Sequence, residues 1–130
     1  MNFLEKLKFN ADGLIPAIIQ EQSSGRVLMM AWMNEEAVRR SMKEGKTVFW
    51  SRSRQKYWVK GESSGNVQVI KDVSFDCDGD TLLFQVEQTG AACHEGYKSC
   101  FFRSAKAKGS AFEITEPRLI DPETMYGKKE

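Results

Sequence analysis

Between Thr47 and Glu87 the chain is built from short runs rich in β-branched and aromatic residues: Thr47 to Ser53, Tyr57 to Lys60, Val67 to Phe75 and Leu82 to Glu87. Gly, Ser and Asp stand between these runs, so the middle of the protein is predicted to be mostly sheet. Two earlier apolar runs, Leu14 to Gln20 and Arg26 to Met33, are joined through Ser23-Ser24-Gly25 and read as a strand hairpin. A helix is predicted from Glu35 to Glu44. Asn34 is its N-cap, Glu35 and Glu36 suit its positive end, and Gly45 is a natural C′ residue. Ala37, Val38 and Met42 would form its buried side. Thr89 to Cys100 loses periodicity and is predicted as a loop with room for one helical turn. Phe101 to Arg103 and Ala111 to Ile114 are predicted as further strands, and Lys128 to Glu130 as a frayed tail. The fold class is therefore α+β and β-rich, with a mostly antiparallel or mixed, barrel-like sheet and one main helix.

A length of 130 residues suits one domain, 1–130, with a real core. The net charge of +1 offers no general attraction for a polyanion, so any phosphate must be bound by a local cluster. The start, Met1-Asn2-Phe3-Leu4-Glu5-Lys6, lacks the pattern of a signal peptide, and no run approaches about 18 apolar residues. A cytoplasmic protein with no membrane partner is expected. Three cysteines without a secretion signal argue against a disulfide framework and favour metal binding or catalysis over it. Buried free thiols are the plain alternative.

Asp76-Cys77-Asp78-Gly79-Asp80, Cys93-His94 and Cys100 put every cysteine and the single histidine of the chain into 25 residues. Thiolates select zinc or another soft metal, whereas carboxylates select magnesium, manganese or calcium. If Val73 to Asp80 runs extended, its three aspartates face one way and Cys77 the other. No CxxC knuckle is present, so the thiol spacing alone is a weak signal. Three thiolates would leave zinc an open position, and His94 as a fourth ligand would close it. Adjacent Cys93 and His94 could chelate one small ion only with strain, which favours His94 as a residue just outside the metal's ligands or as a proton shuttle. A lone histidine away from thiols would more simply be a satisfied polar residue. Asp76, Asp78 and Asp80 with Glu87 superficially suggest a calcium loop. Thr81 occupies the position that needs glycine, however, so magnesium or a simple solvated turn fits better.

In Trp50 to Lys60 a continuous strand would align Trp50, Arg52, Arg54, Lys56, Trp58 and Lys60 on one face suited to phosphate and flat rings. Gly61 to Asn66 could add backbone N–H donors. A solvated strand, or a single-stranded nucleic-acid platform, would use the same residue types. The near-neutral charge speaks against nucleic acid and for a small phosphorylated ligand.

Taken together, Leu28 to Asn34, Trp50 to Arg54, Lys60 to Asn66, Asp76 to Asp80, Thr89-Gly90, Cys93-His94 and Ser99-Cys100-Phe101 resemble the phosphoribosyl-AMP cyclohydrolases of histidine biosynthesis. The resemblance implies an intertwined homodimer that takes a phosphorylated nucleotide and no nucleic acid. It implies Zn2+ on Cys77, Cys93 and Cys100, shared across the subunits, and Mg2+ on Asp76, Asp78 and Asp80. The implied reaction is hydrolytic opening of the adenine ring at N1–C6 of 1-(5-phosphoribosyl)-AMP, with zinc-bound hydroxide attacking C6. His94 is the expected catalytic residue. Arg52, Arg54, Trp58, Lys60, Gly61 and Ser64 are the expected substrate contacts. Relatives of this kind are sometimes fused to a pyrophosphohydrolase domain, for which a chain ending at Glu130 has no room, so a monofunctional protein is expected. Glu95 departs from the uncharged residue expected after His94, and Trp32 and Tyr57 are apolar variants of their motifs. A zinc-stabilised nucleotide-binding module and a plain β domain with free thiols are the competing readings.

Overall fold

The computed structural model describes residues 2–126, so the expected frayed tail, Lys128 to Glu130, lies outside the described residues. A 3-10 turn at Asn2–Lys6 precedes β1 (Ile15–Glu21), β2 (Val27–Met33), α1 (Glu35–Glu44), β3 (Val48–Ser51) and β4 (Lys56–Val59). Then follow β5 (Gln68–Phe75), β6 (Leu82–Gln88), β7 (Arg103–Ser104), β8 (Glu113–Ile114) and the short α2 (Pro122–Met125). The class is α+β, as expected.

The main sheet has the order β2-β1-β6-β5. β1 pairs antiparallel with β2 and parallel with β6, and β5 pairs antiparallel with β6. β3 and β4 form a separate antiparallel hairpin. That hairpin starts beside β5 through a Lys46–Val69 bridge, and the Thr47 hydroxyl donates to Gln68 Oε1 at 2.8 Å. β3 also packs on β2, so the hairpin spans both edges of the sheet. The barrel-like character thus comes from packing on the β2 side rather than from a continuous hydrogen-bonded ring.

The strands alternate as half-buried strands must. Ile15, Ala17 and Ile19 of β1 and Leu82, Phe84 and Val86 of β6 point into one core with Leu28, Met33, Ala37, Val38, Val48 and Phe49. Phe84 is fully buried at the sheet centre. Phe84→Ala is therefore expected to destabilise the fold by about 3–5 kcal/mol, read by urea unfolding. A loss below about 1 kcal/mol would contradict this placement.

α1 follows its sequence signals. Asn34 Oδ1 accepts the Ala37 N–H at 2.8 Å, and Gly45, at φ 73°, donates its N–H to the Ser41 carbonyl. Ala37 and Val38 are buried as expected, while Met42 is only partly so. Ser41 is buried too, because its hydroxyl receives the Val48 N–H at 2.9 Å and donates to the Val48 carbonyl at 3.2 Å. That pair fixes where β3 begins.

Two stretches whose alternation would have suited a continuous strand are turns instead. Trp50 to Lys60 is no continuous strand: Ser51 pairs with Lys56, and Arg52 to Gln55 form the loop between β3 and β4. Ser51 Oγ accepts the Arg54 N–H at 3.2 Å, and Gln55 takes a left-handed φ of 56°. These local bonds compete with strand geometry where no β-branched residue resists them. Likewise β5 ends at Phe75, and Asp76 to Asp80 is a turn closed by the Asp80 N–H on Asp76 Oδ1 at 3.0 Å. The alternation of aspartates and Cys77 on two faces does not apply there. The loop from Thr89 to Cys100 contains no helical turn, and β7 and β8 are a two-residue ladder narrower than expected.

Candidate active site

A cleft of about 880 Å³ opens beside the β3–β4 hairpin. Arg54 and Lys56 from the hairpin, Trp58 and Lys60 from its second arm, Ser63 and Ser64 from the following loop, and His94 line it. The loop after β4 is wound tightly about Gly61. At φ 85°, a Cβ at this position would lie 2.4 Å from the backbone of Asn66 and Val67, so only glycine fits. Its hydroxyl-bearing residues and turn N–H groups, beside two exposed cations, suit an anionic oxygen. Glu62 is the carboxylate among the lining residues.

His94 is exposed, whereas its neighbour Cys93 is buried and Cys100 half-buried. The loop that carries them is held by backbone bonds: Ala92 N–H to Lys98 O and Cys93 N–H to Tyr97 O, both 3.1 Å. The Cys100 N–H bonds the Leu28 carbonyl of β2 at 2.7 Å. Tyr97 stacks on Phe102 with ring centroids 3.7 Å apart, which backs the loop with apolar surface. These ties bring the Cys93 and Cys100 thiols next to one another. Burial first, and the adjacent Cys93 sulfur second, push the Cys100 thiol up to about 11, partly offset by the Lys60 ammonium. Two desolvated thiols side by side become thiolates readily only with a cation between them, so this donor pair fits a soft divalent metal.

Lys60 Nζ donates to the Ala92 carbonyl and lies 5.9 Å from the Trp58 ring centroid. Burial lowers its pKa, and the two thiols act the other way. Lys60 thus ties β4 to the cysteine loop.

Cys77 is exposed and stands apart from that pair, on the acidic turn. This turn is seated on the N-terminal segment: the Lys8 N–H bonds the Gly79 carbonyl at 2.7 Å, and a Cβ at Gly79 would lie 2.5 Å from the Lys6 carbonyl oxygen. Asp76 and Asp80 share a hydrogen bond that holds the Asp80 carboxyl above its ordinary range. A hard cation between two such carboxylates would offset their mutual repulsion. Among the described residues no three His, Cys, Asp or Glu side chains already converge on a metal position within one chain.

A family profile, phosphoribosyl-AMP cyclohydrolase, matches residues 29–102. A phosphoribosyl-AMP cyclohydrolase of Pelodictyon phaeoclathratiforme is 54% identical over 128 residues, covering 98% of this chain and 93% of that protein. One of Chlorobium limicola is 54% identical, with 98% and 92% covered, and one of Chlorobaculum tepidum 52% identical, with 98% and 93% covered. The chain belongs to the phosphoribosyl-AMP cyclohydrolase family.

Within this cyclohydrolase fold Arg54, Trp58, Lys60, Gly61, Ser64 and His94, chosen from sequence, share the one cleft. Arg52 does not line it and stands on the other side of the hairpin loop, over Trp32. Cys93 and Cys100 are together, and Cys77 is not with them. Sequence reading missed Tyr126, which lines the cleft and whose pKa is raised by burial first and by Cys93 and Cys100 next. Asp121-Pro122 could have revealed the helix before it, but not the cleft it reaches. Asp121 caps Glu123 at 2.9 Å and Pro122 opens α2, the usual signature of a helix start.

Proposed function

We propose that this chain hydrolyses the N1–C6 bond of 1-(5-phosphoribosyl)-AMP, giving the phosphoribosyl-formimino aminoimidazole carboxamide ribotide in histidine biosynthesis. Its family makes it a hydrolase of a cyclic amidine C–N bond. The observation that carries the reading is the meeting of exposed His94, the thiols of buried Cys93 and half-buried Cys100, and a basic, aromatic-walled cleft.

Cys93 and Cys100 would hold zinc, with Cys77 supplied by a second copy of the chain in a homodimer. Zinc held there would lower the pKa of bound water to about 7 and so supply a nucleophile at neutral pH. Asp76, Asp78 and Asp80 would hold magnesium, a hard ion that prefers such oxygens and pairs with phosphates. The free thiols suit a reducing compartment, so the cytoplasm is the proposed location.

Ribosylation at N1 gives the purine ring positive character. After water adds at C6, N1 can leave as a neutral amidine nitrogen, and the exocyclic nitrogen stays as the carboxamide. His94 serves as the proton carrier: it takes a proton from the attacking water and returns one to N1 as the C6–N1 bond breaks. Trp58 gives the purine a flat wall, and Arg54 with Ser64 and the Gly61 loop receives a phosphate. Lys60, bonded to the Ala92 carbonyl, keeps the Cys93 loop against β4.

The test is turnover of phosphoribosyl-AMP by absorbance on protein of measured zinc content, before chelation, after it, and after zinc is restored. Activity that disappears and returns with zinc is expected. Absence of turnover from folded, zinc-loaded protein would overturn the assignment in favour of a nucleotide-binding module.

A further inference from the structure

A second cleft of about 590 Å³ lies on the opposite side of the β3–β4 loop, lined by Met30 and Trp32 of β2, Trp50 and Ser51 of β3, Arg52, Ser53 and Trp58. It adjoins the first. Ser51, Ser53 and Trp58 line both, and Trp58 is the aromatic wall they share. The loop between them places Arg54 in the first cleft and Arg52 in the second. The Arg52 guanidinium carbon lies 4.9 Å from the Trp32 ring centroid, a cation–π contact that tethers the side chain in this cleft. Arg26, Arg39 and Arg40 are each paired with a glutamate, whereas among the described residues no carboxylate pairs with Arg52 or Arg54. These two arginines, without a carboxylate partner among the described residues, stand one in each of two adjoining clefts and match a ligand with two anionic ends and a flat centre.

We infer that the two 5-phosphoribosyl arms of the substrate straddle this hairpin, the N1-linked arm in the His94 cleft at Arg54 and the N9-linked arm in the Trp32 cleft at Arg52. This assignment rests on the proposed function. It follows from where the reacting atoms must be. C6 and N1 have to lie on the His94 side, so the ribose on N1 stays in that cleft. N9, at the far side of the purine, then projects past Trp58 into the second cleft. Trp32 and Trp50 offer apolar faces to the sugar there, and Arg52 takes its phosphate.

The arms can be probed separately: AMP carries only the N9-linked arm, and ribose 5-phosphate stands for the N1-linked one. Binding of each is measured by calorimetry to the wild type, Arg52→Ala and Arg54→Ala, beside steady-state turnover of phosphoribosyl-AMP. A charge-assisted bond to phosphate contributes about tenfold or more in affinity. Arg52→Ala is expected to weaken AMP by about that factor and leave ribose 5-phosphate unchanged, and Arg54→Ala to do the reverse. Both should raise KM for the full substrate, with kcat within about threefold. Arg52→Lys should recover only part of the loss, because lysine keeps the charge but not the planar fork of N–H donors.

A parallel response of both probes to both variants would overturn the division into two arms. So would AMP binding that ignores Arg52, or failure of the wild type to bind AMP at millimolar concentration. Absence of turnover in the wild type would instead defeat the parent assignment, and the crossed binding pattern would still be read independently of it.

Discussion

His94→Ala is expected to lower kcat by about a hundredfold to ten-thousandfold while zinc content stays at the wild-type level. The side chain is exposed at the wall of the cleft, whereas the sulfur of its neighbour Cys93 is turned into the buried loop and accepts the Glu95 N–H at 3.4 Å. Consecutive residues thus serve two environments, one turned into the loop and one toward the cleft. If His94 carries the protons that move during ring opening, as proposed, the loss should fall on kcat and kcat/KM together, with KM little altered. Steady-state kinetics and metal analysis on the same preparation decide the matter. Zinc lost with the imidazole would make His94 a ligand, and unchanged turnover would remove it from the chemistry.

Cys77→Ser and Cys93→Ser are each expected to lose stoichiometric zinc and fall to background activity, yet to restore activity when co-expressed. Within one chain Cys77 sits on an exposed turn seated on Lys6 to Lys8, apart from the Cys93–Cys100 pair. If the third thiolate comes from a second copy, each mixed dimer contains one site with both defects and one with none. Random pairing makes half of the dimers mixed, so activity should recover to about a quarter of wild type. No recovery, with each variant folded and dimeric, would sink the shared site. Full zinc retention by Cys77→Ser would remove that residue from the metal.

Much of the local structure was legible because it depends on near neighbours in the chain. Asn34 and Gly45 delimit α1 through their own side-chain oxygen and left-handed φ, and Ser23-Ser24-Gly25 turns β1 into β2. Where short polar side chains bond their own backbone, strand-like alternation misled. Ser51 with Arg54, and Asp76 with Asp80, close turns where alternation would also have allowed extended chain. That difference matters for the site, because it sends Arg52 and Arg54 to opposite sides of a hairpin instead of along one face.

The sequence by itself determined the family, the α+β class, and the residue types able to bind metal, phosphate and a flat ring, since these depend on side-chain chemistry and short spacings. Only the tertiary structure decided which of them meet. Cys93 and Cys100 come together beside Lys60 because the loop is tied to β2 through Leu28 and to β4 through Ala92. Tyr126 reaches the same cleft from the far end of the chain, and Cys77 is carried away on the turn after β5. Such meetings depend on packing between segments tens of residues apart, which no local periodicity encodes.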